Sequence, residues 1–439
     1  MLLCASITSV DNAKTNSTYA YVFCVYYKKN GEIQMDIKLY KLDENSEILN
    51  LLKLIKKFGT VTRNQIVNFT GYSSAKISLL MKNLEDQGLI DTVGEDESTG
   101  GRKAKLIQLK GSKGHFVGIE LGGYEQKISL IDFNGRIIAK DKIPENTSDH
   151  DQSIVIGAIL KFIRNFINTN ESYSGNIKGI GLAISGIVDY NTGICRYFRN
   201  KKSWEGINLG KILEDEFSLP CVIDDSSRMM AVAEMNYGSC KEVDNFILFS
   251  IGVGLGTGIV INRRVFRGND GLAGEIGHMV IKENGPRCVC GNYGCLESFV
   301  SGYAIERQLQ KAINDNVYSN IKGGTFATAK EVIQQAIQGD KLAYSIVGDV
   351  AENLGIGISN TINIFNPQLV ILAGGISNAG NLLLGPVEQV IKASALEYSA
   401  RNCRIVISGL DEYSASMGIA NLCIDRLLED DKALDLLLK

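Results

Sequence analysis

The fold class this sequence predicts is α/β, two related lobes around a cleft, carried behind a small helical module at the amino-terminal end. Three observations predict it. From residue 47 to residue 88 apolar residues recur at helical spacing, and two short β-like runs follow. Beyond Gly114 strand-like runs alternate with helical segments and glycine turns, the texture of an α/β domain. Residues 117–123 and 250–256 each pass from a strand into a glycine turn, which reads as one lobe repeated. With 439 residues the chain is long enough for two or three compact domains. We divide it into an extension over 1–44, the helical module over 45–110 and the lobed domain over 114–439.

The composition excludes several classes. At 45% apolar, 22% charged and five prolines, the chain has ample core material and is not a disordered one. Its longest apolar runs, such as Phe246–Ile251 and Leu369–Ala373, fall far short of the roughly 20 residues that span a bilayer. No membrane partner is expected. The first six residues lack the basic start and long apolar stretch of a secretion signal, so a cytoplasmic, reducing location is expected. Ten cysteines are then no disulfide framework: Cys288, Cys290 and Cys295 crowd together, and the other seven read as plain buried thiols.

Taken in order, residues 1–44 are the least legible. Residues 21–27 are β-like and Lys28-Lys29-Asn30-Gly31 is a turn; a short hairpin is one reading, an over-extended start ahead of Met35 the other. No function is assigned to them. Ile48, Leu51, Leu52, Ile55 and Phe58 form the stripe of a first helix that ends near Gly59. Thr62 and Gln65 make a capping box for a second helix, which Gly71 stops. Ser73 or Ser74 opens a third, with Ile77, Leu80, Met81 and Leu84 facing inward and Gly88 at its close. Residues 89–93 and 104–109 are two strands around a polar loop. Three helices plus a hairpin make a winged helix-turn-helix.

The net charge of −3 averages two unlike parts. Residues 45–110 hold ten Lys or Arg against seven Asp or Glu, a balance of +3 that leaves −6 for the remainder. The basic residues include the third helix and the loop tip, the parts that reach DNA in this motif. A solvated three-helix domain that binds another protein is the competing reading.

In the lobed domain His278, Cys288, Cys290 and Cys295 have the spacing H-x9-C-x-C-x4-C, four ligands suited to tetrahedral zinc. Four protein ligands close the shell, so the zinc expected is structural. Glu275 and Glu297 flank this loop, and carboxylates held in place accept hydrogen bonds from the hydroxyls of a sugar. Gly252, Gly254, Gly256, Thr257 and Gly258 form a turn after a strand, able to present backbone N–H groups to a phosphate or merely to solve a packing problem. Gly374-Gly375 is a similar nucleotide hint. Asp225, in the pair Asp224-Asp225 after a strand, could be a general base toward a sugar hydroxyl or the N-cap of the helix that follows.

These residues resemble the ROK family, which joins sugar-responsive repressors, open reading frames and sugar kinases. The resemblance covers about residues 45–430 and is most specific at Gly271-Leu-Ala-Gly-Glu-Ile-Gly-His278 and Cys288-Val-Cys-Gly-Asn-Tyr-Gly-Cys-Leu-Glu297. It implies zinc on the histidine and three cysteines, a sugar pocket lined by Asp225, Glu275, His278 and Glu297 with Asn200 as a further contact, and an actin-like, hexokinase-type fold of two lobes. The amino-terminal part resembles the repressor branch through Thr62-Arg63, Gly71-Tyr-Ser-Ser, Leu84-Glu-Asp-Gln-Gly-Leu and Ser98-Thr-Gly-Gly-Arg-Lys103. Resemblance and spacing together place Ser73, Ser74, Lys76, Ser78 and Lys82 near the major groove, and Arg102 with Lys103 near a narrow minor groove.

Kinases of that family open the lobed domain with Asp-x-Gly-Gly-Thr, and here Glu120-Leu-Gly122-Gly123-Tyr124 stands instead. Phosphoryl transfer is sensitive to placement at the level of about 1 Å, so no useful kinase activity is expected and no catalytic residue is assigned. The leading expectation is a repressor, a homodimer or higher homo-oligomer, that binds operator DNA and a sugar or sugar-phosphate inducer. The enzyme alternative is a sugar kinase with ATP and Mg²⁺, Asp225 its base and Gly122, Gly123, Gly252 to Thr257, Gly374 and Gly375 its nucleotide turns. A third is a repressor released by a protein partner.

Overall fold

The structure, a computed structural model, describes residues 2–6, 10–11, 18–19, 21–29, 32–40, 44–95, 104–144, 152–198, 204–321, 327–430 and 432–438. The chain divides into two compact units. The smaller comprises Met1–Gly114, Asp132–Arg136 and Asp425–Lys439, the larger His115–Ile131 and Ile137–Ile424.

In the smaller unit Tyr21–Lys29 and Glu32–Tyr40 pair as an antiparallel hairpin, and Leu2–Ser6, which had no sequence signal, adds a third strand. Three helices follow: α1 (Glu44–Phe58), α2 (Arg63–Thr70) and α3 (Ser74–Asp86). The Thr62 hydroxyl accepts from Gln65 N at 3.2 Å while the Gln65 side chain accepts from Thr62 N at 2.7 Å, the reciprocal capping box. Gly71 ends α2 at φ +68°, a conformation that costs other residues more. Ser73 caps α3 by accepting from Lys76 N. Ile48, Leu51, Leu52, Ile55, Ile66, Ile77, Leu80, Met81 and Leu84 are all buried, so the helical spacing had identified the core face except at Phe58, which is exposed at the end of α1 and stacks on Phe69. Ile90–Glu95 and Lys105–Leu109 make the antiparallel hairpin, and Val61–Thr62 joins its other edge as an additional short strand. Arg102 and Lys103 lie outside the described residues.

The larger unit contains two five-stranded sheets built alike. The first runs, in spatial order, Ile137–Pro144, Glu125–Asp132, His115–Leu121, Ile177–Ile184, Cys221–Asp225; the second runs Arg264–Val265, Leu255–Ile261, Phe246–Ile251, Leu369–Ala373, Arg404–Ile407. In each the third strand in space is the first in sequence, and the last two lie parallel to it in succession. The repeated glycine turn in the sequence is therefore the trace of a repeated lobe. The outer strands Ile137–Pro144 and Arg404–Ile407 were not legible: the first carries Lys140-Asp141-Lys142 in its middle at an exposed edge, and the second is four residues long.

One helix, Ser226–Asn236, is packed between the two sheets. Met229 and Val232 pack with Ala183 of the first sheet, whereas Ala231 packs with Phe246, Leu248 and Ile371 of the second. Helix Ser414–Glu429 approaches the first sheet so closely that a Cβ on Gly118 would lie 1.9 Å from the Ser416 carbonyl oxygen. Backbone contact of this kind admits only glycine. On its far side the second sheet is covered by the long helix Lys341–Phe365 and by Asn381–Ser394. Cys195, Cys240 and Cys423 are buried thiols as expected, but Cys221 and Cys403 are only half-buried, each in a strand or turn near a lobe edge. Among the described residues no helix is long and apolar enough to cross a membrane.

Candidate functional site

The carboxyl ends of the central strands of both sheets open into one cleft of about 1770 Å³. Ligands of open α/β sheets bind at such strand ends. Asp225, Glu275, His278 and Glu297 all line this cleft, together with Thr257 and every glycine of the three turns except Gly258. Asn200 lies outside the described residues; its neighbours Phe198 and Trp204 line the cleft and stack on each other at 5.0 Å.

Asp225 ends the strand Cys221–Asp225 and caps the central helix, its Oδ1 accepting from Ser227 N at 2.9 Å and Arg228 N at 3.0 Å. Both roles weighed for it, cap and cleft acceptor, are compatible with this position. Burial pushes its carboxyl up to about 7, against the pull of Arg228 and with the neighbouring Asp224 and Glu275 charges adding to the rise. Glu297 is buried and accepts from Leu255 N at 2.9 Å, which ties it to the second lobe's glycine turn. Glu275 is half exposed, with Oε2 3.9 Å from His278 Nε2.

The ligand atoms of His278, Cys288, Cys290 and Cys295 all lie within 4.8 Å of one another, a set that can hold a metal ion. Cys290 Sγ and Cys295 Sγ are 3.7 Å apart, and Cys288 Sγ is 3.5 Å from His278 Nδ1. The histidine thus turns one ring nitrogen to the thiols and the other toward Glu275.

The carboxylate of Asp224, the other member of the acidic pair, is engaged with two arginines. Its Oδ1 accepts from Arg228 Nε at 2.7 Å and its Oδ2 from Arg267 at 2.7 and 3.0 Å. Arg228 also donates to the Gly271 carbonyl at 2.9 Å. Asp224 is therefore an internal clamp on the segment that leads to Glu275 and His278. Its i, i+4 relation to Arg228 was a readable signal; the partnership with Arg267 was not.

The phosphate-type turns are close-packed. Thr257 gives its hydroxyl to the Gly274 carbonyl. A Cβ on Gly123 would come within 2.5 Å of Val253 Cγ2, so the turns of the two lobes touch. Gly374, at φ +87°, lies against the Ile251 backbone, whereas Gly375 faces open space. Glu120 is buried with Lys127 Nζ 3.6 Å from its Oε2, and burial pushes its carboxyl above the usual range while Lys127 pulls it down. Lys127, on a neighbouring strand, gave no warning in the sequence.

On the smaller unit Ser74 and Lys82 are exposed on α3. Lys76 is held inside the module, its Nζ 2.5 Å from Glu47 Oε1 and 4.3 Å from the centre of the Tyr72 ring. Ser78 donates to the Ser74 carbonyl at 2.8 Å and meets Arg63 at 3.4 Å.

A family model described as the ROK family matches residues 116–426. The chain is 32% identical over 363 residues to the DNA-binding transcriptional dual regulator NagC of Escherichia coli K12, covering 83% of this chain and 88% of that protein. It is 30% identical over 383 residues to the xylose repressor of Caldicellulosiruptor bescii, covering 87% and 96%. Among solved structures, a ROK family transcriptional regulator, a homologue of the E. coli MLC protein, superposes with TM-score 0.76 at 28% identity over 90% of this chain and 99% of that one. A ROK family glucokinase from Streptomyces griseus, solved with glucose and AMPPNP, superposes with TM-score 0.62 at 25% identity over 70% and 99%.

Proposed function

This chain belongs to the ROK family, and from that premise we propose that it is a sugar-responsive, DNA-binding transcriptional repressor. Coverage carries the reading: the regulator accounts for 90% of this chain, and the glucokinase, itself covered almost completely, for 70%. The stretch covered by the regulator and not by the kinase is long enough to include the whole amino-terminal module over 45–110. Its three helices and hairpin are the parts of a winged helix-turn-helix, and the excess of basic residues over 45–110 favours a DNA partner.

Zinc fits the His278, Cys288, Cys290 and Cys295 set. Thiolates around a tetrahedral zinc with bonds of about 2.3 Å stand about 3.8 Å apart, close to the 3.7 Å between Cys290 and Cys295. Bound there it would fix the loop that carries Glu275 and Glu297. His278 would use Nδ1 as ligand and leave Nε2 beside Glu275.

Separate sugar hydroxyls donate to Asp225, Glu275 and Glu297 in this scheme, and contacts from both lobes favour a closed cleft. A typical coupling of about 1–3 kcal/mol changes operator affinity by roughly five- to 150-fold. A symmetric dimer places two modules on a palindromic site. The names of the relatives, among them the N-acetylglucosamine repressor of Escherichia coli O157:H7 and the xylose repressor, make N-acetylglucosamine, xylose and their phosphates the first inducers to try. A gel-shift titration on the protein's own promoter tests the scheme. Loss of the shifted band with one of these sugars is expected; binding that no sugar or sugar phosphate alters would remove the inducer role. No phosphoryl transfer is expected, because Glu120 is paired with Lys127 and Thr257 with Gly274. A coupled ATP assay across hexoses, pentoses and N-acetylhexosamines checks this.

A further inference from the structure

We infer that Ala75 and Leu79 read the 5-methyl groups of thymines in the major groove, so that operator recognition by α3 is largely apolar. The inference rests on the repressor reading above and specifies its chemistry.

The argument begins with the helix surface. Ile77, Leu80, Met81 and Leu84 are buried and define the inner face of α3. Residues 75, 79 and 82 are spaced by four and three, so they form one ridge, and at 100° per residue that ridge is opposite the buried face. All three are exposed, Leu79 to 68% of its full surface. An isolated exposed leucine is ordinary on a protein surface. This one occupies the crest of the helix that enters the groove, one turn after Ala75 and before Lys82.

Three of the four polar residues of the first two turns beside the ridge, all but the exposed Ser74, are already committed. Lys76 is bound to Glu47 and Tyr72, Ser73 caps the helix, and Ser78 is tied to the Ser74 carbonyl and to Arg63. Lys82 is the exposed cation on the crest, and Arg63 is exposed at the start of α2. This arrangement suits a groove bounded by phosphates: cations at the margin, an apolar crest at the centre. Only the thymine methyl offers an apolar target on the major-groove edge of a base pair, and alanine and similar side chains are its usual partners.

The experiment uses the full chain with its zinc. Sites are first selected from a random duplex library. Each thymine of a selected site is then replaced by deoxyuridine, which removes the methyl and leaves every hydrogen-bonding group. One or two positions per half-site should lose about fourfold in affinity, the factor expected for one buried methyl. Leu79→Ala should bind thymine and deoxyuridine alike at one of these positions, with an unchanged melting temperature because the side chain is exposed. Lys82→Ala should instead weaken all sites evenly and flatten the salt dependence. Sequence-selective binding with no deoxyuridine penalty anywhere would overturn the inference and leave the repressor reading intact. A full penalty retained in both Leu79→Ala and Ala75→Gly would do the same. Failure to bind any duplex would remove both.

Discussion

Two groups of charged side chains line the same cleft and are partnered in opposite ways. Asp225, Glu275 and Glu297 line it beside a metal-type loop, and among the described residues no lysine or arginine forms an ion pair with Asp225 or Glu275. Glu120, at the entry to the first lobe's turn, is closed off by Lys127, and further out Lys142 bridges Glu125 and Glu412. An acid without an ion-pair partner is held at a cost: burial first, then the charges of Asp224 and Glu275, move Asp225 up to about 7 against the pull of Arg228. An acid that has acquired its own cation no longer needs one from a ligand. On the proposed function, the first group serves a hydroxylated ligand and the second no longer suits Mg²⁺ and a phosphoryl group.

The largest test of this contrast removes what holds the first group. Cys295→Ser should abolish stoichiometric zinc, measured by elemental analysis. Sugar affinity should fall by more than about a hundredfold, beyond what loss of an outer metal partner costs. Undiminished calorimetric binding without zinc would break the contrast, because the carboxylates would then be positioned without the loop.

Asp225→Asn comes next. It keeps an N-cap for the central helix and removes the charged acceptor, so sugar affinity should fall roughly tenfold to a hundredfold, the range for a hydrogen bond to a charged group. Its stability should move the other way. The folded value of Asp225 is raised to about 7 while an unfolded aspartate titrates near about 4. The wild type therefore loses stability as pH rises through that window, and Asn does not. Melting temperatures at pH 5 and pH 8 should show the variant gaining on the wild type with rising pH. Sugar binding to the wild type should strengthen over the same range, as the carboxylate form becomes dominant. Arg228, Asp224 and Glu275 are the charges facing this group, and substitution of Glu275 should lower the midpoint.

Much of this was legible in the chain because it is local. The capping box at Thr62, the stripe of α3, the metal-type spacing and the repeated glycine turn depend on residues a few positions apart. Pairings made by folding were not legible. Asp224 with Arg267 spans 43 residues, and Lys127 meets Glu120 only because two strands lie side by side. The charge of Lys76 was visible in the sequence, and its bond to Glu47, 29 residues away, was not. Composition also hid the edge strand Ile137–Pro144, where exposure replaces the apolar run that marks a central strand.

The smallest effect on ligand binding, and the sharpest on the contrast, belongs to Lys127→Met. It removes the cation from Glu120 and adds no polar group. A buried carboxylate left alone is costly, but Glu120 is already raised by burial and can take a proton instead. The cost should thus be about 1–3 kcal/mol in urea unfolding, less than for an acid that stays ionised. Because the folded value of Glu120 rises further in the variant, its stability should decline as pH climbs above the unfolded value near about 4. Sugar affinity should stay within about twofold, and ATP turnover should remain absent, since Tyr124 and the Thr257–Gly274 bond are untouched. If sugar affinity instead fell in step with stability, the two groups would be one coupled site and the opposition between them would be lost. If ATP turnover emerged, the Glu120–Lys127 pair alone would be what separates this cleft from that of a kinase.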